Sequence, residues 1–418
     1  MSTDRLIFHV DVNSAFLSWE AARRVSEGER DIREIPSCIS GDPEKRTSVV
    51  LAKSIPAKKY GIRTGEPVAM ALRKCPGIFI AKPDFSLYTK CSRAFKEICR
   101  SYAPVMEEFS IDECFLDMTG TEYIYPDPVA TAYEIKNRIR NELGFTVNIG
   151  IGPNKLLAKM ASDFEKPDKV HTLMYGELEQ KFWRLPVSDL LMAGKSSVSS
   201  LERAGIKTIG QLAHSDLKLV QQLIGVKQGK LLHAYANGID DSPVSDEREP
   251  AKGYSVSTTL NENVISFDNA NRILLSLSDR ASARMRRDEA KTLCVLVKIR
   301  TSEFKNRSHQ CILNDATDVT SEIYSEAKRL LSELWDGKTP LRLIGIALTR
   351  IVHKGSEQLS LAYDERSERG RKIDKAMDQI RSRFGTDAVT RGSVYGMSTE
   401  VGKKYKAQLE NDIDNKKS

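Results

Sequence analysis

Two adjacent carboxylates, Asp112 and Glu113, interrupt the otherwise apolar run 109–117, and this stretch restricts the fold more than any other. Neighbouring side chains of a strand point to opposite faces, so both acids can serve one site only if a turn or bulge re-aims one of them. An unpaired buried carboxylate is costly, which calls for a metal ion or a basic partner beside it. Taken alone, the pair reads more simply as a strand end, one acid facing water and the other capping a turn.

A third acid sits in a comparable setting. Residues 6–12 read as a buried strand with Asp11 near its end, and Asn13 or Ser14 could N-cap a following helix that carries Phe16, Trp19 and Ala22. Alone, Asp11 also reads as a cap. Residues 36–77 are broken by Pro and Gly into a small inserted subdomain, where Lys53, Lys58, Lys59 and Arg63 crowd one segment as a solvated face or a phosphate clamp. Helices are predicted over 88–102, 129–143 and 155–163, a strand pair over 105–118, and a period-2 strand over 145–151. Strands 6–12, 109–117 and 145–151 with their crossing helices predict one layered α/β domain.

Beyond it, 167–237 is mainly helical with Gly turns, and short helix pairs of this kind can offer backbone N–H groups to phosphates. Residues 238–250 are polar, contain Pro and lack periodicity, as a linker would. Strand 253–260, helix 267–287, strands 291–301 and 309–313, helix 318–335 and strand 341–351 then follow the β-α-β-β-α-β order of a split sandwich. Arg284, Arg286, Arg287 and Lys291 form one basic cluster on this module, and Arg300, Lys305 and Arg307 another, suited to nucleic-acid contact or to a solvated face. A peptide-like Gln358-Leu359-Ser360-Leu361 precedes a charged helix over 368–383.

With 418 residues the chain is too long for a single small core, and roughly two to four domains are expected. A net charge of +7 favours an anionic partner. The seven cysteines are scattered and never form Cys-x-x-Cys, which suits a reducing compartment and argues against structural zinc. Without a signal peptide or a membrane-length apolar run, the reading is a cytoplasmic protein with no membrane partner.

With Asp11 and Asp112-Glu113 together, the chain resembles the Y-family DNA polymerases nearly end to end. The residues 8–16, Phe-His-Val-Asp-Val-Asn-Ser-Ala-Phe, look like the family's first motif; Gly41-Asp42-Pro43 with Arg46, Val49 and Val50 looks like its fingers strand. Ser110-Ile111-Asp112-Glu113 is its acidic motif letter for letter, and Gly150 to Lys159 with Lys166-Pro167 resembles the last palm motif. The resemblance implies a right-hand polymerase mixing α/β and α+β domains: a palm (1–17 and 78–166), small fingers (18–77), a helix-hairpin-helix thumb (167–237), the 238–250 linker, a little finger (251–354), and a clamp-binding-like peptide, helix and tail (355–418).

It further implies template-directed, low-fidelity translesion synthesis by nucleotidyl transfer from a dNTP to a primer 3′-hydroxyl, with two Mg²⁺ ions about 3.5–4 Å apart. Asp11, Asp112, Glu113 and the Val12 carbonyl are the implied metal ligands, Asp11, Asp112 and Glu113 the catalytic set, Phe16 the steric gate against ribose, and Lys58 and Lys166 triphosphate contacts. Arg284, Arg286, Arg300, Lys305 and Arg307 are the implied DNA contacts. Gln358, Leu359 and Leu361 resemble a sliding-clamp peptide, although Ala362 stands where Phe is usual and Tyr363 follows. Primer-template DNA, dNTP and a sliding clamp are thus the expected partners of a monomer. The fingers depart from the pattern, with Ala52, Ile55 and Lys58 in place of Thr, Tyr and Arg, and Met192-Ala193-Gly194-Lys195 replaces a Gly-x-Gly hairpin. A catalytically weak DNA- or clamp-binding factor on the same fold is the alternative, and a nucleotidyl cyclase a more distant one.

Overall fold

A computed structural model describes residues 5–247, 249–353, 365–386 and 388–394. Its described residues divide into two compact units, one of those within 1–42 and 49–248, the other of those within 43–48 and from 249 onward. The first is built around β1 (Ile7–Val12), whose alternating side chains serve two different faces. Helix α1 (Ala15–Ser26) follows; its N-cap is Ser14, one of the two expected positions, in a left-handed backbone and without a side-chain cap hydrogen bond. Strands β2 (Ser37–Ser40) and β3 (Val50–Lys53), helices α2 (Ile55–Lys59) and α3 (Val68–Lys74), and β4 (Phe79–Ala81) make the small subdomain, a three-stranded sheet ordered β3-β2-β4. Residues 43–48, expected within it, group instead with the second unit, where the Arg46 guanidinium donates to the Leu260 carbonyl (2.7 Å) and to Asn263 Oδ1 (3.0 Å).

Next come α4 (Phe85–Arg100), β5 (Val105–Glu108), β6 (Glu113–Asp117), α5 (Pro128–Leu143), β7 (Val147–Gly152), α6 (Lys155–Ser162) and β8 (Val170–Thr172). The strands form one sheet in the order β5-β6-β1-β7-β8, so β1 lies between two antiparallel neighbours at its centre. Phe8, Val10, Val12, Leu116, Val147, Ile149 and Ile151 point into a core shared with Leu17, Trp19, Phe95, Ile98, Ile135 and Ile139 of α1, α4 and α5. The opposite face receives α6. Gly150 and Gly152 make that contact possible: a Cβ on Gly150 would stand 2.0 Å from the Ala158 carbonyl oxygen, and one on Gly152 2.7 Å from the Ala158 amide nitrogen. Strand β8, within the stretch expected to be helical, pairs parallel with β7 and closes the sheet.

Helices α7 (Lys195–Arg203), α8 (Ile209–Ala213), α9 (Leu217–Ile224) and α10 (Val226–Ala236) pack around Leu201, Ile209, Leu212, Val220 and Leu232. The segment expected as a linker, 238–250, contains the division between the two units, and its first part is anchored. Residues 238–245 form a strap on the first unit: the Gly238 carbonyl accepts from Asn154 (2.8 Å), Asp240 accepts from the Leu156 amide (3.2 Å), and Val244 is buried against Ile7, Phe115 and Ala158. Polar composition hid this, because the anchors are a main-chain carbonyl, one carboxylate and a single apolar side chain.

The second unit follows the expected order: β9 (Tyr254–Val264), α11 (Phe267–Arg287), β10 (Ala290–Thr301), β11 (Asn306–Thr317), α12 (Thr320–Leu334) and β12 (Leu341–His353), with strands ordered β11-β10-β12-β9. Its helices cover one sheet face through Val295, Val297, Ile299, Ile344, Ile346 and Leu348. Helix α13 (Glu365–Phe384) is docked by ion pairs: Asp374 is 1 % exposed and meets Arg286 and Arg391, while Asp279 meets Arg381. Gln358, Leu359 and Leu361 lie outside the described residues. No helix among the described residues is long and apolar enough to cross a membrane.

Candidate active site

The antiparallel registers set Glu113 of β6 opposite Asp11 of β1, and Asp11 opposite Asn148 of β7. Directly opposed residues share a face, so these three side chains form one row across the sheet. The row behind it on the same face is Phe115, His9 and Gly150. The required turn is present: β5 ends at Glu108, β6 begins at Glu113, and the amides of Phe109 and Ser110 both donate to the Glu113 carbonyl. Asp112 sits at the end of this turn, and its carbonyl accepts from the Val12 amide (3.0 Å), tying it to the end of β1. The Ser110 hydroxyl donates to Asp112 Oδ1 at 2.6 Å and lies 3.3 Å from Glu113 Oε1, so both acids approach one group. Helix α4 braces the turn, with buried Lys96 donating to the Ser110 carbonyl (2.7 Å) and Ser92 to that of Ile111.

Asp11 and Glu113 are each answered by a different lysine, whereas the Asp112 carboxylate accepts from the Ser110 hydroxyl. Lys166 Nζ donates to Asp11 Oδ2 (2.6 Å) and pairs with Asp163 (2.8 Å). Burial still pushes the Asp11 carboxyl above its ordinary value, because Lys166 offsets only part of the lost hydration. Burial works in the same direction on Glu113, but donors from His9 (2.9 Å) and Lys159 outweigh it and bring its pKa down to about 2. His9 is fully buried, which pushes its imidazole below the ordinary value; its other ring nitrogen lies 2.8 Å from Ser162 Oγ. Among the described residues no three His, Cys, Asp or Glu side chains converge as a ready metal cage. The donor set itself is all hard oxygen, the kind magnesium prefers.

Phe16 projects from α1 half-buried, stacked on Tyr88 (centroids 4.5 Å apart, 10° between planes) and edge-on to Phe85. Lys58 is exposed on α2; Lys53 donates to Thr64 (3.2 Å), and burial followed by the charge of Lys58 pulls its ammonium below the ordinary value. The five basic residues expected to contact DNA do not share a surface. Arg286 corrects the expectation: it is sequestered by Asp374 and Asp378 (2.7 Å) and donates to the Asp318 carbonyl (2.9 Å), so its guanidinium fastens α13. Arg284 is half-buried on α11, and Lys305 pairs with Glu303. Arg300 lies on the face opposite the helices, whereas Arg307 is in register with Ile299 and belongs to the other face. Lys298 joins Arg300 on the open face, where Gly345 leaves room for its stem: a Cβ on Gly345 would be 2.6 Å from Lys298 Cε.

His9, Lys159, Asn148 and Ser110 were not singled out as site residues by sequence. The available signal was spacing: His9 lies two residues from Asp11 and so shares its face.

Comparison with known proteins gives this arrangement its class. Residues 10–163 match the impB/mucB/samB family model and 251–361 that family's C-terminal domain, while 189–240 match a thumb domain described for DNA polymerase iota. A solved Y-family DNA polymerase chimera aligns with a TM-score of 0.72 at 20 % identity, covering 84 % of this chain and 100 % of its own. Within that class the match narrows: DNA polymerase IV of Clostridium acetobutylicum is 42 % identical over 388 residues (93 % of this chain, 97 % of the relative), and DNA polymerase IV 1 of Bacillus subtilis is 33 % identical over 396 residues (93 % of each). The chain belongs to the Y family of DNA polymerases, alongside the proteins named DNA polymerase IV. It is a DNA-directed DNA polymerase with the family's palm, fingers, thumb and little finger.

Proposed function

We propose that the chain extends primers across damaged templates at low fidelity, using Asp11, Asp112 and Glu113 as the catalytic carboxylates. The observation that carries this reading is the shared row of Asp11 and Glu113, with the Asp112 turn tied to the end of β1. Asp11, Asp112, Glu113 and the Val12 carbonyl would hold two Mg²⁺ ions, which when bound lower the pKa of the primer hydroxyl and balance charge on the leaving pyrophosphate. Lys166 neutralises Asp11 and is placed to exchange that carboxylate for a triphosphate oxygen. The Phe16 ring, fixed by Tyr88, would fill the space of a ribose 2′-hydroxyl. Ala52, Ile55 and Lys58 offer the triphosphate one point charge in place of a bidentate guanidinium, so a weaker KM for dNTP is expected with the reaction class intact. Arg300 and Lys305 remain candidates for DNA contact, and Gln358, Leu359 and Leu361 for sliding-clamp binding. Primer extension with Mg²⁺ on damaged and undamaged templates tests the reading. Asp112→Ala should abolish extension, and equal extension by the variant would overturn the assignment.

A further inference from the structure

Lys166 is carried by the connection between α6 and β8, and that connection is held at two points that no site motif names. The first is Asn148, the β7 member of the carboxylate row, fully buried. Its amide nitrogen donates to the carbonyls of Ser162 (3.1 Å) and Glu165 (2.7 Å), and its oxygen accepts from the Lys169 amide (3.2 Å). One side chain thus grips the connection before and after Lys166. The second is Asp168, a non-glycine residue with φ +63°, which pairs with Lys136 (2.9 Å) and Arg140 of α5. The Ile149 amide adds a bond to the Lys169 carbonyl (3.0 Å).

These contacts span a short segment. Five residues separate Asp163 from Lys169, and four of the eight residues 162–169 are tied by Asn148 or by α5. Lys166 itself reaches Asp11, the register partner of Asn148, so the anchor and the target of the lysine sit side by side on adjacent strands. An ammonium on a four-carbon stem is directed only as well as its backbone is. We propose that Asn148, seconded by Asp168, is a positioning residue that fixes where the Lys166 ammonium meets the incoming nucleoside triphosphate. This rests on the reading of Lys166 as a triphosphate contact.

The test is steady-state single-nucleotide insertion by full-length wild type, Asn148→Ala, Arg140→Gln, Lys166→Ala and the Asn148→Ala/Lys166→Ala double variant. Asn148→Ala should raise KM for dNTP roughly tenfold while kcat stays within about twofold, and Arg140→Gln should shift KM the same way by less. In the double variant KM should be no worse than in Lys166→Ala alone, a dependence that a purely structural asparagine would not produce. The inference is overturned if a folded Asn148→Ala enzyme keeps its KM, or if its effect multiplies with that of Lys166→Ala. Should Asn148→Ala lose its thermal transition, Arg140→Gln decides: an unchanged KM there, with KM raised by Lys166→Ala, rejects the proposal. If Lys166→Ala itself leaves KM unaltered, the reading of Lys166 falls and this inference with it.

Discussion

Glu113 gains its low pKa from His9 and Lys159, and that gain is a statement about stability. A carboxyl held at about 2 in the folded chain against an ordinary 4.5 contributes stability that is complete above the unfolded value and lost as pH falls from about 4.5 towards 2. The contribution is on the order of 3 kcal/mol. Denaturant unfolding across this acid range should show that limb in wild type and a flatter one in Glu113→Gln. Asp11 works with the opposite sign, since its raised pKa costs stability once pH exceeds the unfolded value. Phe16→Ala should lower discrimination against ribonucleotides, read as the ratio of kcat/KM for dNTP and rNTP; unchanged discrimination would leave Phe16 as a packing residue. Asp11 and Asp112-Glu113 were conspicuous as charge beside apolar strands, yet alone they read as a cap and a strand end, and the motif resemblance is what joined them into a candidate site. His9 and Asn148 were not, because their roles depend on strand register and on a helix and a loop that sequence spacing does not bring together.

At the level of elements, the sheet face that carries Asp11 and Glu113 has α6 packed directly on β7. Gly150→Ala would drive a Cβ into the backbone of α6, with the Ser162 amide nitrogen 2.4 Å away, and backbone cannot step aside as a side chain can. A loss of about 3 kcal/mol or more is expected, read as a fall of several degrees in Tm. Periodicity located the long helices and the long strands, since amphipathic spacing records burial, but not the short helices α2 and α3. It failed at β8, three residues long, where no alternation can develop, and at the 238–245 strap, which is held by a carbonyl, a carboxylate and one apolar side chain. It also treated the arginines of α11 as one cluster, although Arg286 faces α13 and is buried there.

For the whole molecule the matter is how DNA is held. Affinity should fall linearly in log–log terms with salt as counterions are released. Arg300→Ala should reduce that slope by about 1. Arg286→Ala should leave the slope alone and instead destabilise the second unit by about 3 kcal/mol, because it strips a partner from the buried Asp374. Filter binding at several salt concentrations, paired with thermal melts, separates the two effects. The second unit also takes its hexapeptide 43–48 from deep within the first unit's sequence, so the chain passes between the units three times. A fragment beginning at 249 would lack Arg46, the donor to Leu260 and Asn263, and a fragment ending at 248 would carry that hexapeptide without its acceptors. The two units are therefore not interchangeable cassettes: grafting a foreign final domain onto this polymerase requires replacing two separate stretches of the gene.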